Sequence, residues 1–322
     1  MELKGKYVLV TGGAGFIGSN LVGALLELGA KVRVLDNLST GKLKNIEAFM
    51  SHERFDFLQG DICDLSVCEQ ALHGIDVISH QAALGSVPRS IEFPHNTHAV
   101  NATGFLNMLH AAKEVGVKRF VFASSSSVYG DSKNSPKVEG VEGRLLSPYA
   151  VTKALNEQYA KVYHDLHDME TIGLRYFNVF GPKQDPNGVY AAAIPKFIDK
   201  MVKGEEITVN GDGEQTRDFT FVQNAVQANL RGLSADNTEA YGKVYNVACG
   251  QSYTLNQVLK DIESNLRALG VYNEHTKITY GPPRNGDIRD SLADITLIKS
   301  YLNYSNPVQF FDGMKALCSE IV

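Results

Sequence analysis

The seven residues Gly12-Gly13-Ala14-Gly15-Phe16-Ile17-Gly18 constrain this chain more than any other stretch of it. They stand directly between the apolar run Lys6-Tyr7-Val8-Leu9-Val10, which ends in Thr11, and a segment whose apolar side chains return at helical spacing through Leu28. Gly29 closes that helix. Glycines spaced G-x-x-G-x-x-G between a strand and a helix let the backbone turn, let a pyrophosphate approach the helix amides, and let helix and strand touch. Gly12, Gly15, Phe16, Ile17 and Gly18 are therefore expected against the phosphates of a dinucleotide.

Val32-Arg33-Val34-Leu35-Asp36 is a second β-branched run, so the chain opens with a βαβ unit whose strands are parallel. Asp36 ends that strand, where a carboxylate can accept both ribose hydroxyls of an adenosine and would repel a 2′-phosphate. That favours NAD over NADP, although Arg33 and the turn Asn37-Leu38-Ser39-Thr40-Gly41 leave NADP open; Asn37, Ser39, Thr40 and Gly41 are expected beside the adenosine. Further strand-like runs are Phe55-Asp56-Phe57-Leu58, Val77-Ile78-Ser79-His80, Arg119-Phe120-Val121-Phe122-Ala123 and Thr171-Ile172-Gly173-Leu174-Arg175, with helical stretches at roughly 65–73, 96–115 and 148–167. Such alternation predicts an α/β fold with a Rossmann-type doubly wound parallel sheet. Asp61-Ile62 and Gln81-Ala82-Ala83 close later strands, where adenine and nicotinamide ribose would pass over the sheet edge.

After about residue 178 the breakers Gly181-Pro182 and Asp185-Pro186-Asn187-Gly188 end the alternation, and a smaller α/β substrate-binding lobe is expected to begin. The stretch 219–248 carries a helix and the strand Val244-Tyr245-Asn246-Val247, which can rejoin the main sheet. The expected division is 1–178 with 219–249 for the cofactor, and 179–218 with 250–322 for the substrate.

Composition excludes several classes. A net charge of -5, with no basic stripe, argues against a nucleic-acid partner. No run approaches the ~20 apolar residues of a membrane span, and the chain runs from Met1 straight into a strand, so a cytoplasmic protein is expected. Cysteines 63, 68, 249 and 318 lack zinc-site spacing and are read as small buried or half-buried residues; the scattered histidines complete no metal ligand set.

Chemistry is carried by Ser147-Pro148-Tyr149-Ala150-Val151-Thr152-Lys153. Pro148 suits a first helical turn, and Tyr149 and Lys153, four apart, then share a helix face. A phenol is a poor base at neutral pH, but an adjacent ammonium and a positive nicotinamide ring would lower its pKa, so that Tyr149 can take a proton from a sugar hydroxyl. Ala123-Ser124-Ser125-Ser126-Ser127-Val128-Tyr129-Gly130 crowds hydroxyls at the end of a predicted strand, where one of them can share the reacting oxygen.

Taken together these motifs make the chain resemble, over almost its whole length, the extended short-chain dehydrogenase/reductases, specifically the UDP-glucose and UDP-N-acetylglucosamine 4-epimerases. The resemblance implies a catalytic set at Ser125, Tyr149 and Lys153, and a tightly held NAD reduced and reoxidised within one turnover. It implies Tyr176 beside the cofactor and substrate contacts at Ser86, Ser125, Ser126, Tyr149, Asn178 and Gln184. Arg217 and Arg284 look like the pair that binds the diphosphate, with Asp287 nearby, and two guanidinium groups are what a pyrophosphate needs for forked hydrogen bonds. Ser291 stands where epimerases restricted to non-acetylated sugars resemble one another in carrying tyrosine, so a small residue there implies room for an N-acetyl group. Ser127 stands where dehydratases and decarboxylases resemble one another in placing glutamate, which implies that hydride return follows the 4-keto stage. A homodimer built on the helices near 96–115 and 148–167 is implied as well.

The substrate expected is thus a UDP-hexose, interconverted at C-4 and preferably N-acetylated. Open alternatives are a UDP-N-acetylhexosaminuronate, UDP-glucose with UDP-galactose, a same-fold decarboxylase, dehydratase or reductase, and a non-catalytic NAD-binding regulator.

Overall fold

Strand and helix alternate through the first half of the chain, as the hydrophobic pattern predicts. The computed structural model describes residues 2–187, 191–282 and 289–320. In chain order come β1 (Tyr7–Thr11), α1 (Phe16–Glu27), β2 (Lys31–Asp36), β3 (Phe55–Gln59), α2 (Leu65–Ala71), β4 (Val77–His80), α3 (Val87–Glu92), α4 (Pro94–His98), α5 (Phe105–Glu114), β5 (Arg119–Ser125), α6 (Pro148–His167) and β6 (Glu170–Tyr176). The second half adds β7 (Val179–Phe180), α7 (Ala193–Lys203), β8 (Ile207–Asn210), β9 (Thr216–Arg217), β10 (Thr220–Phe221), α8 (Val222–Ser234), β11 (Lys243–Val247), β12 (Tyr253–Thr254), α9 (Leu255–Ala268), β13 (Ile278–Gly281), α10 (Thr296–Leu302) and α11 (Phe310–Ser319).

Seven strands form one sheet in the order β11-β6-β5-β4-β1-β2-β3, and every pairing in it is parallel. This is a Rossmann-type doubly wound sheet. The order reverses between β1 and β4, which opens a crevice at their carboxyl ends, where such sheets bind ligands. β11 reaches the sheet after a long excursion, so the chain returns from its lobe to the edge beside β6.

Local sequence explains the helices that matter. α6 starts at Ser147, whose hydroxyl accepts the Ala150 amide at 3.1 Å, with Pro148 in the first turn and Asp168 left-handed at the far end. The single helix expected over 96–115 is instead three pieces: α4, a π-helical turn at Ala99–Gly104, and α5. The turn faces Asn101 inward, where its amide group pairs with both the amide (2.7 Å) and the carbonyl (3.1 Å) of Leu84. A backbone segment after β4 is thereby anchored, and a side chain that would break a regular helix surface is used as a bracket.

The core of the second half is rich in aromatic rings. Phe310 stacks on Tyr253 at 4.6 Å between ring centroids and contacts Phe180 at 5.6 Å and Phe219 at 5.6 Å, joining residues far apart in sequence. Cys68, Cys249 and Cys318 are buried as expected, but Cys63 is exposed. Its amide closes a turn onto the Asp61 carboxylate at 2.8 Å, which keeps it at the surface end of β3. Among the described residues no helix is long and apolar enough to cross a membrane, and no histidine, cysteine or carboxylate group could hold a metal.

Candidate active site

A cleft follows the carboxyl ends of the strands from β2 to β5. Its centre is the glycine loop. Gly12 turns at φ +67°, and a Cβ there would lie 2.7 Å from the Ala82 amide nitrogen; one at Gly18 would lie 2.2 Å from the Gly12 carbonyl. Side chains are excluded, so backbone alone lines this part of the crevice. α1 begins at Gly15 with no side-chain cap, and Phe16, Ile17 and Gly18 line the cleft, which leaves first-turn amides for an anion. These residues fit a dinucleotide pyrophosphate.

One end of the cleft is built by Asp36 with Asn37, Ser39, Thr40 and Gly41 after β2, and by Asp61 and Ile62 after β3. The Asp36 carboxylate accepts the amides of Ala14 (2.9 Å) and Leu38 (2.8 Å); burial pushes its pKa up and those two amides draw it back. Arg33, the residue that kept NADP open, is engaged elsewhere: its Nε donates to Asp56 at 2.6 Å and its Nη1 to the Ala71 and His73 carbonyls at 3.1 Å. Asn37 donates to Asp61 at 2.9 Å, which ties the two strand ends together.

The other end carries Gln81, Ala82, Ala83, Tyr149, Lys153 and Tyr176. Tyr176 donates to the Gln81 amide oxygen at 2.9 Å, and Asn229, on the returning helix α8, bonds both of them. Lys153 is 2 % exposed and donates from Nζ to the Ala123 carbonyl at 2.8 Å; burial lowers its pKa to about 8, against the nearby Glu157 charge, which raises it. Tyr149 lies in reach of that ammonium, 6.0 Å from Nζ to the ring centroid.

The phenol expected to be lowered by an ammonium and a nicotinamide ring together starts, in the protein alone, from the opposite side. Burial raises the pKa of Tyr149, and only its hydrogen bond with Ser125 opposes that. Desolvation disfavours the phenolate, and that is the cost a neighbouring positive charge has to offset. Ser125 accepts the Ser127 amide at 3.1 Å, which leaves its hydroxyl proton for Tyr149. His80 lies beneath, held neutral by burial that lowers it to about 3.

Substrate residues expected from the sequence are more dispersed. Asn178 and Arg217 line a second cleft with Phe180, Phe197, Thr208 and Phe219. Arg217 donates to the carbonyls of Thr216 (2.8 Å) and Arg289 (3.2 Å). Gln184 donates to the Val179 carbonyl at 3.3 Å while its own amide oxygen is buried without a partner. Ser86 caps α3 through the Arg89 amide at 3.3 Å, so its acceptor is engaged. Ser126 follows Ser125 at the end of β5, and the buried Ser127 hydroxyl has no partner. Ser291 is half-buried in a strip tied down by Lys137, whose amide donates to Leu292 at 2.7 Å. Arg284 and Asp287 lie outside the described residues.

Sequence reading missed Leu35, Gly60, Leu84, Gly85, Val100, Ala123 and Ser124 in the first cleft. Most adjoin a named strand end and could have been included on that ground; Val100 sits in the π-helical turn, for which periodicity has no signal. It missed most of the second cleft, and also Asp218, whose buried carboxylate accepts the amides of Cys249 (3.0 Å), Gly250 (3.1 Å) and Ala293 (3.3 Å).

With this geometry in hand, comparison with known proteins is informative. The NAD dependent epimerase/dehydratase family matches residues 8–248. The putative UDP-glucose 4-epimerase of Methanocaldococcus jannaschii is 35% identical over 310 residues, 96% of each chain. A solved UDP-N-acetylglucosamine 4-epimerase from Methanobrevibacter ruminantium M1, in complex with UDP-N-acetylmuramic acid, is 38% identical with a TM-score of 0.91, covering 99% of this chain and 98% of that one. The UDP-glucuronic acid 4-epimerase of Bacillus cereus, solved with UDP-glucuronic acid and NAD, is 31% identical with a TM-score of 0.85, covering 98% of each.

Proposed function

Since this chain belongs to the NAD-dependent epimerase/dehydratase family, we propose that it interconverts UDP-hexoses at C-4 and prefers the N-acetylated pair, UDP-N-acetylglucosamine and UDP-N-acetylgalactosamine. The observation that carries this reading is the phenol of Tyr149, bonded to Ser125 and next to Lys153 at the end of the cleft opposite Asp36. NAD, when bound, supplies the hydride acceptor and a positive ring beside that phenol. Tyr149 removes the 4-hydroxyl proton while the C-4 hydride leaves, giving a 4-keto sugar; the same proton and hydride return after the sugar presents its other face. Lys153, still an ammonium at neutral pH with its pKa near 8, stabilises the phenolate. Ser125 shares the reacting oxygen.

Ser127 supports epimerisation over elimination or decarboxylation, because a hydroxyl offers no acid or base to take the keto sugar further. Ser291 supports the acetylated preference, since a serine leaves space that a bulky ring would fill. Likeness to the Methanobrevibacter ruminantium enzyme points the same way. Arg217 with Arg284 is read as the diphosphate clamp, and residues 1–178 with 219–249 as the cofactor domain, which the pairing of β11 with β6 supports. A homodimer is supported by the exposed apolar residues Val151, Val162 and Leu166 along α6 and by Ile91 and Phe93 beside it.

Purified protein without added cofactor, incubated with UDP-N-acetylglucosamine and separately with UDP-glucose, is followed through the anomeric proton NMR signals. The galacto epimer is expected from both, faster from the acetylated sugar, and absent in Tyr149→Phe. Conversion of neither sugar, with NAD supplied, would turn the reading to UDP-N-acetylhexosaminuronates. NAD bound without conversion of any UDP-sugar would leave a non-catalytic NAD-binding protein.

A further inference from the structure

Helix α6 presents three polar side chains, spaced one turn apart, to the end of β5. Tyr149 bonds Ser125, Lys153 donates to the Ala123 carbonyl at 2.8 Å, and Glu157 accepts the Ser124 hydroxyl. Three successive strand residues are thus gripped by positions i, i+4 and i+8 of one helix, which lie on one face. Among the described residues, the last of these three has a further anchor. The Glu157 carboxylate takes a forked pair of bonds from Arg175 on β6, from Nε at 2.9 Å and from Nη2 at 2.7 Å. Arg175 also donates from Nη1 to Glu142 at 2.5 Å, and its guanidinium lies 4.9 Å over the Tyr129 ring.

The Arg175 and Glu157 side chains are 4 % and 9 % exposed. Burying a carboxylate with a guanidinium costs desolvation that apolar neighbours would not incur, so such a pair is a poor way to gain stability and a good way to specify placement. Taking Tyr149, Lys153 and Ser125 as the reacting groups, as in the reading above, we propose that Glu157 is a positioning residue for this site. Held by Arg175, it sets the register of α6 against β5 so that Ser125 and Lys153 stay on Tyr149.

Its charge acts too. Burial lowers Lys153 to about 8, and Glu157 opposes that fall. The other groups around the lysine are Tyr149 on its own helix and the neutral His80 on β4; beyond Glu157 stand Arg175, Glu142 and Tyr129. Removing the carboxylate charge lowers Lys153 further, so the ammonium is lost at a lower pH and the phenolate forms at a higher one.

The test compares the NAD-loaded parent with Glu157→Gln. The expected kcat falls roughly tenfold to a hundredfold at similar KM, the scale of a misplaced catalytic group. The alkaline limb of kcat moves to lower pH. Ultraviolet titration, taken as the difference from the same protein carrying Tyr149→Phe, has the phenolate appearing at higher pH. That titration needs no turnover, so a parent that converts no UDP-sugar overturns the proposed function while the role of Glu157 is still decided. Parent-like kcat with both pH readouts unmoved overturns the positioning role, and so does a fall in kcat alone, which would mark a merely structural part. Should Glu157→Gln not fold, Ser124→Ala removes only the contact with the strand: a several-fold loss of kcat with an unmoved alkaline limb is expected, and parent kcat overturns the proposal.

Discussion

The sheet half of this protein lines its cleft with backbone, and the lobe around Phe310 lines its own with side chains. In the first, glycines at 12 and 18 leave no room for a Cβ, and the cleft is lined by turns at the ends of regular strands. In the second, three of the strands are two residues long, and phenylalanines from Phe180 to Phe310 converge from separate segments. A site made of strand ends is rigid and common to every substrate of a dinucleotide fold. One made of packed side chains can be reshaped residue by residue, which suits the part that distinguishes one sugar from another.

The strongest break in this comparison is Gly18→Ala. Its Cβ would meet the Gly12 carbonyl at 2.2 Å, and backbone has nowhere to go, so bound NAD measured after denaturation should be lost while far-ultraviolet circular dichroism persists. Retention of parent NAD content would show that the loop can yield after all. Phe310→Ala, in the other half, removes a fully buried ring and should cost about 3–5 kcal/mol in chemical denaturation. If the halves differ as described, KM for the UDP-sugar rises in this variant while NAD content stays at the parent level.

Ser291→Tyr is a finer cut. It should lower turnover of both acetylated sugars by at least about tenfold and leave any UDP-glucose turnover, on the scale by which a filled pocket rejects a larger group. Unchanged turnover of the acetylated pair would remove Ser291 from the specificity reading. The smallest effect is a pH limb. Because burial lowers Lys153 to about 8, its ammonium is present below that pH and lost above it, so kcat should decline from about pH 8 upward; a profile flat to pH 10 would detach Lys153 from the chemistry.

Much of the sheet half was legible before any coordinates. The apolar and β-branched runs at Tyr7, Val32, Phe55, Val77, Arg119 and Thr171 each became a strand of the parallel sheet, and the glycine loop landed at its switch point. Hydrophobic period reports on local geometry, and here local geometry repeats. It had no means of reporting the π-helical turn at Ala99–Gly104, which carries the bracket from Asn101 to Leu84. Nor did it report the second cleft, where Thr208 and Phe219 meet through a core that no period describes. The depth at which Tyr149 lies is invisible to it for a related reason. Spacing on a helix tells which charges are neighbours but not how deeply they are buried, and burial pushes the Tyr149 phenol up.

By itself, then, the order of residues determined the fold class, the glycine loop with its carboxylate at Asp36, and the one-turn spacing of Tyr149 and Lys153, because each depends on near neighbours along the chain. Tertiary structure alone decided which groups share a partner across strands and helices. Glu157 with Arg175 and Ser124, Asp218 with three distant amides, and Asn229 beneath Tyr176 were all assembled that way. A polar atom removed from water must find a partner wherever the fold brings one, and the sequence separation of that partner is set by topology rather than by any local rule.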